Sequence, residues 1–539
     1  MPRSTACVLS LALAAVLAGA LSHAPAAAQD RKKRVELWDI PIGATAGALP
    51  DEAFADFACG TNGGPPSVRL SRFADFMKCR PEPNGLREVY VRYDDEVEYW
   101  ARAHGQKAMA DHFGGTRISV HPAVVSVLFD ASGVVRQLRA VTDDRVSLHD
   151  RAGAHAMATE VRTVFGHEGW TCVDLPPDIG EEAIGPDFVK RSCEKLAPEG
   201  RVTTLAHFFR KAGQNETDPH TGAVLRGQFK SWAKVELTDP TFDAQAAAPS
   251  APASGPVARA PAVGAPGVTP LEAFRSAATK DCPGCDLAGA DLRFRDLAGA
   301  NLAGAKLAGA NLHGARLARA DCSGCDLRGA RLKRTEAAGA NFSRADLSDA
   351  ILHAAVLREA DFSGADLSRA NLNRVQAVRA RFSGATLTEA MAYAADLAGA
   401  DVSGARLPRV MAGQARLRQA NLAGAAAQEA DLHETDLTGA TLDGATLDGV
   451  FLEKSNLRGA RFVHAAMREA KMPWADLREA DLSDANLVEA NFYKADLRTA
   501  DLSRADLSGA VLRRAFIGEA KLEGAKLTRA EMPDGDIHE

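Results

Sequence analysis

Residues 296–315 read DLAGA NLAGA KLAGA NLHGA, four five-residue units in succession, each with Leu in second place and Ala in fifth. The register runs from Leu287 to Leu527 through 49 positions whose numbers end in 2 or 7, and 43 of them carry Leu, Phe, Ile, Val or Met. The exceptions are Cys322, Ala337, Ala377, Ala392, Ala412 and Ala427. Two residues before each centre stands Ala in most units (Ala290, Ala300, Ala305, Ala310), with Asp, Asn, Arg or Lys between. Three residues alternating in, out, in make a short strand. The next two, often Ser-Gly, Ala-Gly or Ser-Arg, suit a corner. At 3.6 residues per turn no helix keeps a period of five on one face. The repeat therefore predicts strand, corner, strand, corner, with the apolar centres inside.

Units such as Ala300-Asn301-Leu302-Ala303-Gly304 and Ala365-Asp366-Leu367-Ser368-Arg369 resemble the pentapeptide-repeat family, whose motif is A-(D/N)-L-x-x. The resemblance implies a mainly β fold, a right-handed quadrilateral β-helix over residues 281–532, with four units or twenty residues per coil. Stacked at ~4.8 Å, its dozen coils would form a rod about 60 Å long. Each buried Leu contributes ~1.5–3 kcal/mol, so stability accrues coil by coil rather than from one compact core. Some family members mimic B-form DNA and protect gyrase, which requires a strongly acidic surface. Residues 281–539 hold 37 Asp and Glu against 33 Lys and Arg. That balance, together with an export signal, discounts DNA mimicry.

The rest of the chain frames this array. A chain of 539 residues is too long for one core. Its hydrophobic fraction of 46% and net charge of −6 are those of a globular protein that binds no nucleic acid. Residues 1–28 read as a signal peptide. Arg3 precedes the apolar run Cys7–Leu21, and Ala26-Ala27-Ala28 ends at the expected cleavage site. The run is shorter than the ~20 residues of a membrane span, and Cys7 lies ahead of it, unlike a lipoprotein cysteine. The expected product is periplasmic or secreted and not membrane-spanning. Arg31-Lys32-Lys33-Arg34 reads as a solvated new N-terminus, with attraction to an anionic membrane as the alternative. Residues 244–268, almost only Ala, Pro, Gly, Ser and Val, read as an extended linker. Over 269–280 a short helix, with Thr269 as N-cap and Pro270 next, is placed to cover the first coil with Leu271 and Phe274.

Residues 30–243 read as a small α+β domain. Leu86–Tyr93 alternates like a strand, and Asp94–Ala103 can continue as a helix. Val124–Phe129 and Val134–Val141 flank Asp130-Ala131-Ser132-Gly133 as a hairpin. Residues 150–165 read as a helix. Glu36-Leu37-Trp38-Asp39-Ile40-Pro41 and Ala58-Cys59-Gly60-Thr61-Asn62-Gly63-Gly64-Pro65-Pro66 resemble a domain of unassigned function that precedes pentapeptide repeats in some exported proteobacterial proteins. That resemblance implies no activity. His104, His112, His121, His149, His155 and His167, with Asp111, Asp150 and Glu168, fall into no spacing that carries a mechanism. The loop Asn62–Pro66 lacks the Lys and the following helix of a phosphate site. The domain reads as non-catalytic and free of cofactors, with an envelope enzyme as the alternative.

Eight cysteines follow the signal, and export makes disulfides the default. The favoured pairs are Cys59–Cys79 and Cys172–Cys193, twenty and twenty-one residues apart. Cys282-Pro283-Gly284-Cys285 and Cys322-Ser323-Gly324-Cys325 have the spacing of zinc ligands. Forty residues is two coils, however, so the pairs stand ~9.6 Å apart, beyond the reach of zinc–sulfur bonds of ~2.3 Å. Local disulfides, reduced core thiols and, last, a metal remain the readings.

Sorting outward residues by number modulo twenty gathers Phe294, Tyr393, Phe451, Trp474 and Tyr493 on one side, with Ile351, Met391, Met411 and Val511. Phe516 lies off it. An apolar stripe on a soluble rod marks a contact surface, for an envelope protein or polymer or for the chain's own linker or N-terminal domain. Stacked Ala392 and Ala412 mark an indented middle. After Met532 only seven polar-rich residues remain, too few for a capping helix, which points to end-to-end pairing of two copies through the C-terminal coils. The reading is an exported non-catalytic scaffold or binding protein.

Overall fold

The computed structural model describes residues 34–60, 68–143, 153–184, 186–211, 216–217, 224–225, 229–242 and 270–539. The signal segment, Arg31-Lys32-Lys33, the loop Asn62–Pro66, His149, Asp150, the 244–268 linker and Thr269 lie outside these residues. The chain divides into two compact units: Met1–Val97 with Gly114–Ala253, and Glu98–Phe113 with Ser254–Glu539.

The first unit is built on one antiparallel sheet. Its strands run in the order Phe54–Cys59, Arg87–Tyr93, His121–Phe129, Val135–Thr142, Phe229–Thr238, Gly200–Lys211, Val189–Ala197, Thr171–Asp174. The predicted hairpin is there, with Val127 opposite Leu138 and Val125 opposite Ala140. The strand partners carry these apolar pairs onward, Leu237 against Leu138 and Val202 against Leu237. One face thereby buries Val89, Val91, Val125, Val127, Val202 and Val235. The opposite face holds a charged cluster in which Arg139 bonds Glu82, Glu88 and Glu236. Within the expected helix over 150–165, the described residues are helical from Ala154 to Phe165 in three consecutive short pieces, Ala154–Ala156, Met157–Glu160 and Arg162–Phe165, ending where Gly166 takes φ 82°. The expected helix after Tyr93 begins at Glu96 and ends at Ala103.

The second unit is the coil array. Bridges join residues twenty apart on four sides, as in Asp286 to Lys306, Asp291 to Asn311, Asp296 to Arg316 and Asn301 to Asp321. The centre donates up the stack, Leu302 N–H to the Asp321 carbonyl, and the bridging residue donates down it, Asp321 N–H to the Ala300 carbonyl. Each side is thus shorter than the predicted three-residue strand: one bridging residue between two corners. Every corner ends on a left-handed residue, such as Gly304 at φ 65° or Arg319 at φ 57°, which is why Gly recurs there. Asp at the bridging position turns its carboxylate onto the corner. At Asp501 bonds from the Ser503 hydroxyl and N–H pull the pKa down to about 2.

Inside the bore, Phe342, Phe362 and Phe382 stack one coil apart with centroids 5.0 Å apart. Farther up the stack the centres Ala392, Ala412 and Ala427 leave an apolar cavity of about 40 Å³. The side-chain volume missing beneath the stripe is therefore an internal void. At the first coil the helix Pro270–Arg275, shorter than the expected 269–280, buries Phe274 completely, under the guanidinium of Arg295. At the other end the short tail folds back. Ile537 bridges Glu531 antiparallel, and Arg529 and His538 exchange backbone bonds with the facing strand. The tail closes one side of the last coil, while Ile517, Leu522 and Leu527 on the others are only partly buried.

Candidate functional site

The side of the array that carries the stripe is built from three outward positions per coil: the bridging residue and the two corner residues after the centre. The structure splits it in two. From residue 313 to 413 the first corner position is a buried column of His313, Lys333, His353, Asn373, Tyr393 and Gly413. Tyr99 and Arg102, from residues 98–113 that group with the coils, meet this column. The Tyr99 ring is 6.0 Å from His353 and 6.2 Å from Tyr393, and the Arg374 guanidinium sits 4.8 Å above it. Tyr393 is 4% exposed. Burial raises its pKa, against the opposing charge of Arg102. Ile351, Met391 and Met411 are half-buried beside it, and Phe294 meets His313 edge-on at 5.3 Å. His433 closes the column: its ring fills the space over Gly413, and its Nδ1 lies 2.6 Å from Asp431, whose hydrogen bond raises the His433 pKa. The buried polar column was missed by sequence reasoning, although the same modulo-twenty sort aligns its members.

From residue 451 onward the side is open. Phe451 is 39% and Trp474 47% exposed, with Tyr493 and Val511 half-buried. Trp474 meets Tyr493 edge-on at 5.7 Å. Lys471 lies 4.2 Å from the Phe451 centroid, and Lys494 lies 5.5 Å from that of Trp474. Trp474 occupies a corner position at φ 56°, a left-handed conformation that costs an L-residue ~1–2 kcal/mol. Of the nine predicted stripe residues, the structure thus brings four to an open surface and places the other five on or above the covered stretch.

Among the described residues of the first unit, the candidate histidines His121 and His155 are neighbours. His155 Nδ1 lies 3.2 Å from the Ser231 hydroxyl, which also accepts the His155 backbone N–H. Burial, then the neighbouring His121, lowers the His155 pKa. His121 Nε2 is 3.2 Å from Glu160. A serine held by ring and backbone of one histidine orients that turn. His167 and Glu168 are exposed, and the His112 side chain lies outside the description. His104 packs on Trp100, and Asp111 pairs with Lys107. His104 and Asp111 belong to the coil unit rather than this one.

The sulfurs of Cys59 and Cys79, of Cys172 and Cys193, and of both CxxC pairs stand at disulfide distance. Cys172 and Cys193 face each other directly across two paired strands. Among the described residues no group of His, Cys, Asp or Glu is arranged to hold a metal, and no helix is long and apolar enough to cross a membrane.

Comparison with known proteins bears on the coils alone. The sequence model of one family, Pentapeptide repeats, matches in overlapping segments over 285–409 and 415–537. Among solved structures, HetL, a pentapeptide repeat protein involved in heterocyst differentiation regulation from the cyanobacterium Nostoc sp. strain PCC 7120, is 29% identical. The match covers 50% of this chain and 98% of that one, with a TM-score of 0.19. A pentapeptide repeat protein of the Arabidopsis thaliana thylakoid lumen is 33% identical over 20% of this chain and 71% of its own, with a TM-score of 0.16. QnrB1, a plasmid-mediated fluoroquinolone resistance protein, is 17% identical over 37% of this chain and 89% of its own, with a TM-score of 0.23. No curated protein matches the chain.

Proposed function

The C-terminal half of the chain belongs to the pentapeptide-repeat family, and on that footing we propose that the protein is an exported, non-catalytic scaffold or binding protein at the cell envelope, using the open side of its coils as the interaction surface. The observation that carries this reading is the division of the stripe. Tyr99 of the same chain occupies the part around Tyr393, whereas Phe451 and Trp474 are left to solvent. Large apolar side chains exposed together on a rod whose backbone groups are satisfied from coil to coil serve contact rather than folding. The partner is a component of the envelope.

Fractionation tests the proposal. The exported protein should lose the residues before Gln29 and be recovered with the envelope. Changing Phe451 and Trp474 together to Ser should release it while leaving the coils folded. Full-length protein retained in the cytoplasm, or undiminished envelope recovery of the double variant, removes the reading.

The last coil supports a homodimer. Ile517, Leu522 and Leu527 are incompletely covered, and the returning tail closes only one of four sides. Light scattering on the purified protein should give twice the 56.9 kDa chain mass less the signal. A monomer at micromolar concentration rules the pairing out.

A further inference from the structure

The open end of the stripe differs from the rest of the array in charge as well as in apolarity. Over the four coils that begin at Phe451, Lys471, Asn491 and Val511, its outward positions carry five cations and one carboxylate, Glu453. The equivalent positions of the next side carry three cations and four carboxylates, as do those of the third, and the fourth carries three of each. The coils are acidic overall, so the excess is local. Among the described coil residues, every large hydrophobic side chain that is clearly exposed lies at or beyond residue 451: Phe451, Trp474, Phe516 and Ile537.

The cations here are also engaged differently. On neighbouring sides Arg504 pairs with Asp484, Lys521 with Asp501 and Lys526 with Asp506, each one coil away. On the stripe, Lys471 and Lys494 lie over aromatic rings, and Arg514 Nη1 is 3.5 Å from the Tyr493 hydroxyl. Lys454 and Arg513 have carboxylate partners at 3.0 and 3.6 Å, Glu453 and Glu531. Lys471 and Lys494 thus stand beside Phe451 and Trp474 over aromatic rings rather than against a carboxylate.

We infer that this surface docks on an anionic membrane face. Bridges from Phe451 to Lys471, Lys471 to Asn491 and Asn491 to Val511 use the backbone along this side. An added strand therefore has nothing to pair with, and recognition falls to side chains. A coil stack presents those side chains in a straight row, which suits a planar partner. Amphipathic rings settle at the headgroup level of a bilayer, and Lys and Arg beside them are drawn to its negative surface potential. The combination joins apolar burial to electrostatic attraction, the two contributions that set the strength of peripheral binding to anionic lipid. The rings do not form the parallel platform on which bases or sugars stack in series, because Trp474 and Tyr493 stand at 83° to each other. This inference rests on the reading of the coils as a binding surface and names what the open side binds.

Vesicle sedimentation tests it on the purified full-length exported protein. The protein should pellet with vesicles of equal parts phosphatidylcholine and phosphatidylglycerol, and stay in solution with phosphatidylcholine alone. Lys471→Gln with Lys494→Gln should weaken binding roughly tenfold or more, and raised salt should weaken it further. Phe451→Ser with Trp474→Ser, which keeps every cation, should weaken it independently. Arg504→Gln with Lys521→Gln, on another side, should leave it unchanged, and circular dichroism identical across the set shows that all variants fold. Equal pelleting of all variants, or equal binding to both vesicle types, overturns the assignment. Envelope recovery that depends on Phe451 and Trp474, without any vesicle binding, overturns the membrane partner but leaves the binding rod standing. Loss of both removes both.

Discussion

Replacing Phe362 with Ala should lower the stability of the coil array by about 3–5 kcal/mol, the usual cost of deleting a buried phenyl ring. Phe362 is fully buried, and its ring stacks within 10° of parallel on Phe342 and within 4° on Phe382. The bore around it is held by backbone bonds to the coils above and below, so the walls cannot collapse into the space. Because each coil is supported mainly by its neighbours, the defect should also divide the array. Thermal unfolding followed by circular dichroism should change from one transition toward two, from coils on either side of the break. Phe362→Leu should restore most of the loss. A shift below ~1 kcal/mol for the Ala variant would show that the bore relaxes, as the neighbouring segment at Ala392 and Ala412 already accommodates an unfilled 40 Å³.

Arg139→Met should destabilise the first unit by a similar amount, about 3–5 kcal/mol at neutral pH, because it removes the cation from a buried ionic cluster. Burial pulls the Arg139 pKa down, but the hydrogen bond to Glu82 and the charges of Glu88, Glu82 and Glu236 outweigh it and hold it raised. Without the guanidinium, three carboxylates converge on a face where Glu88 is buried against Gly60. Like charges left facing one another without their cation repel, so the deficit is largest at neutral pH and shrinks toward acid, where that repulsion is relieved. Urea titrations of variant and parent across this range should converge toward acid. Arg139→Lys should fall between them, since one ammonium cannot reproduce bonds made through Nε, Nη1 and Nη2. A pH-independent deficit would locate the damage in lost packing rather than in unpaired charge.

Much of this was legible in the sequence, for a local reason. In the coil array a residue's environment depends on its number modulo five, and its neighbours lie twenty away. One line of arithmetic therefore yields interior centres, corner residues and the stripe. In the first unit, the alternation of Arg87–Tyr93 and the turn at Asp130–Gly133 were readable because each is a local signal. The long strands Val189–Ala197, Gly200–Lys211 and Phe229–Thr238 were not proposed, although Pro198-Glu199-Gly200 marks the turn between the first two.

By itself, then, the sequence determined the period, the polarity of each position and the place of the aromatic stripe. Tertiary structure alone decided which part of that stripe is covered. Tyr99 reaches Tyr393 from almost three hundred residues away, and no period links the two. It also decided the Arg139 cluster, where strand register sets Arg139 opposite Glu236 and turns the Glu82 and Glu88 carboxylates onto it. Periodic contacts are written in spacing; contacts between distant segments are made by packing, which fixes burial and charge only once the chain has closed on itself.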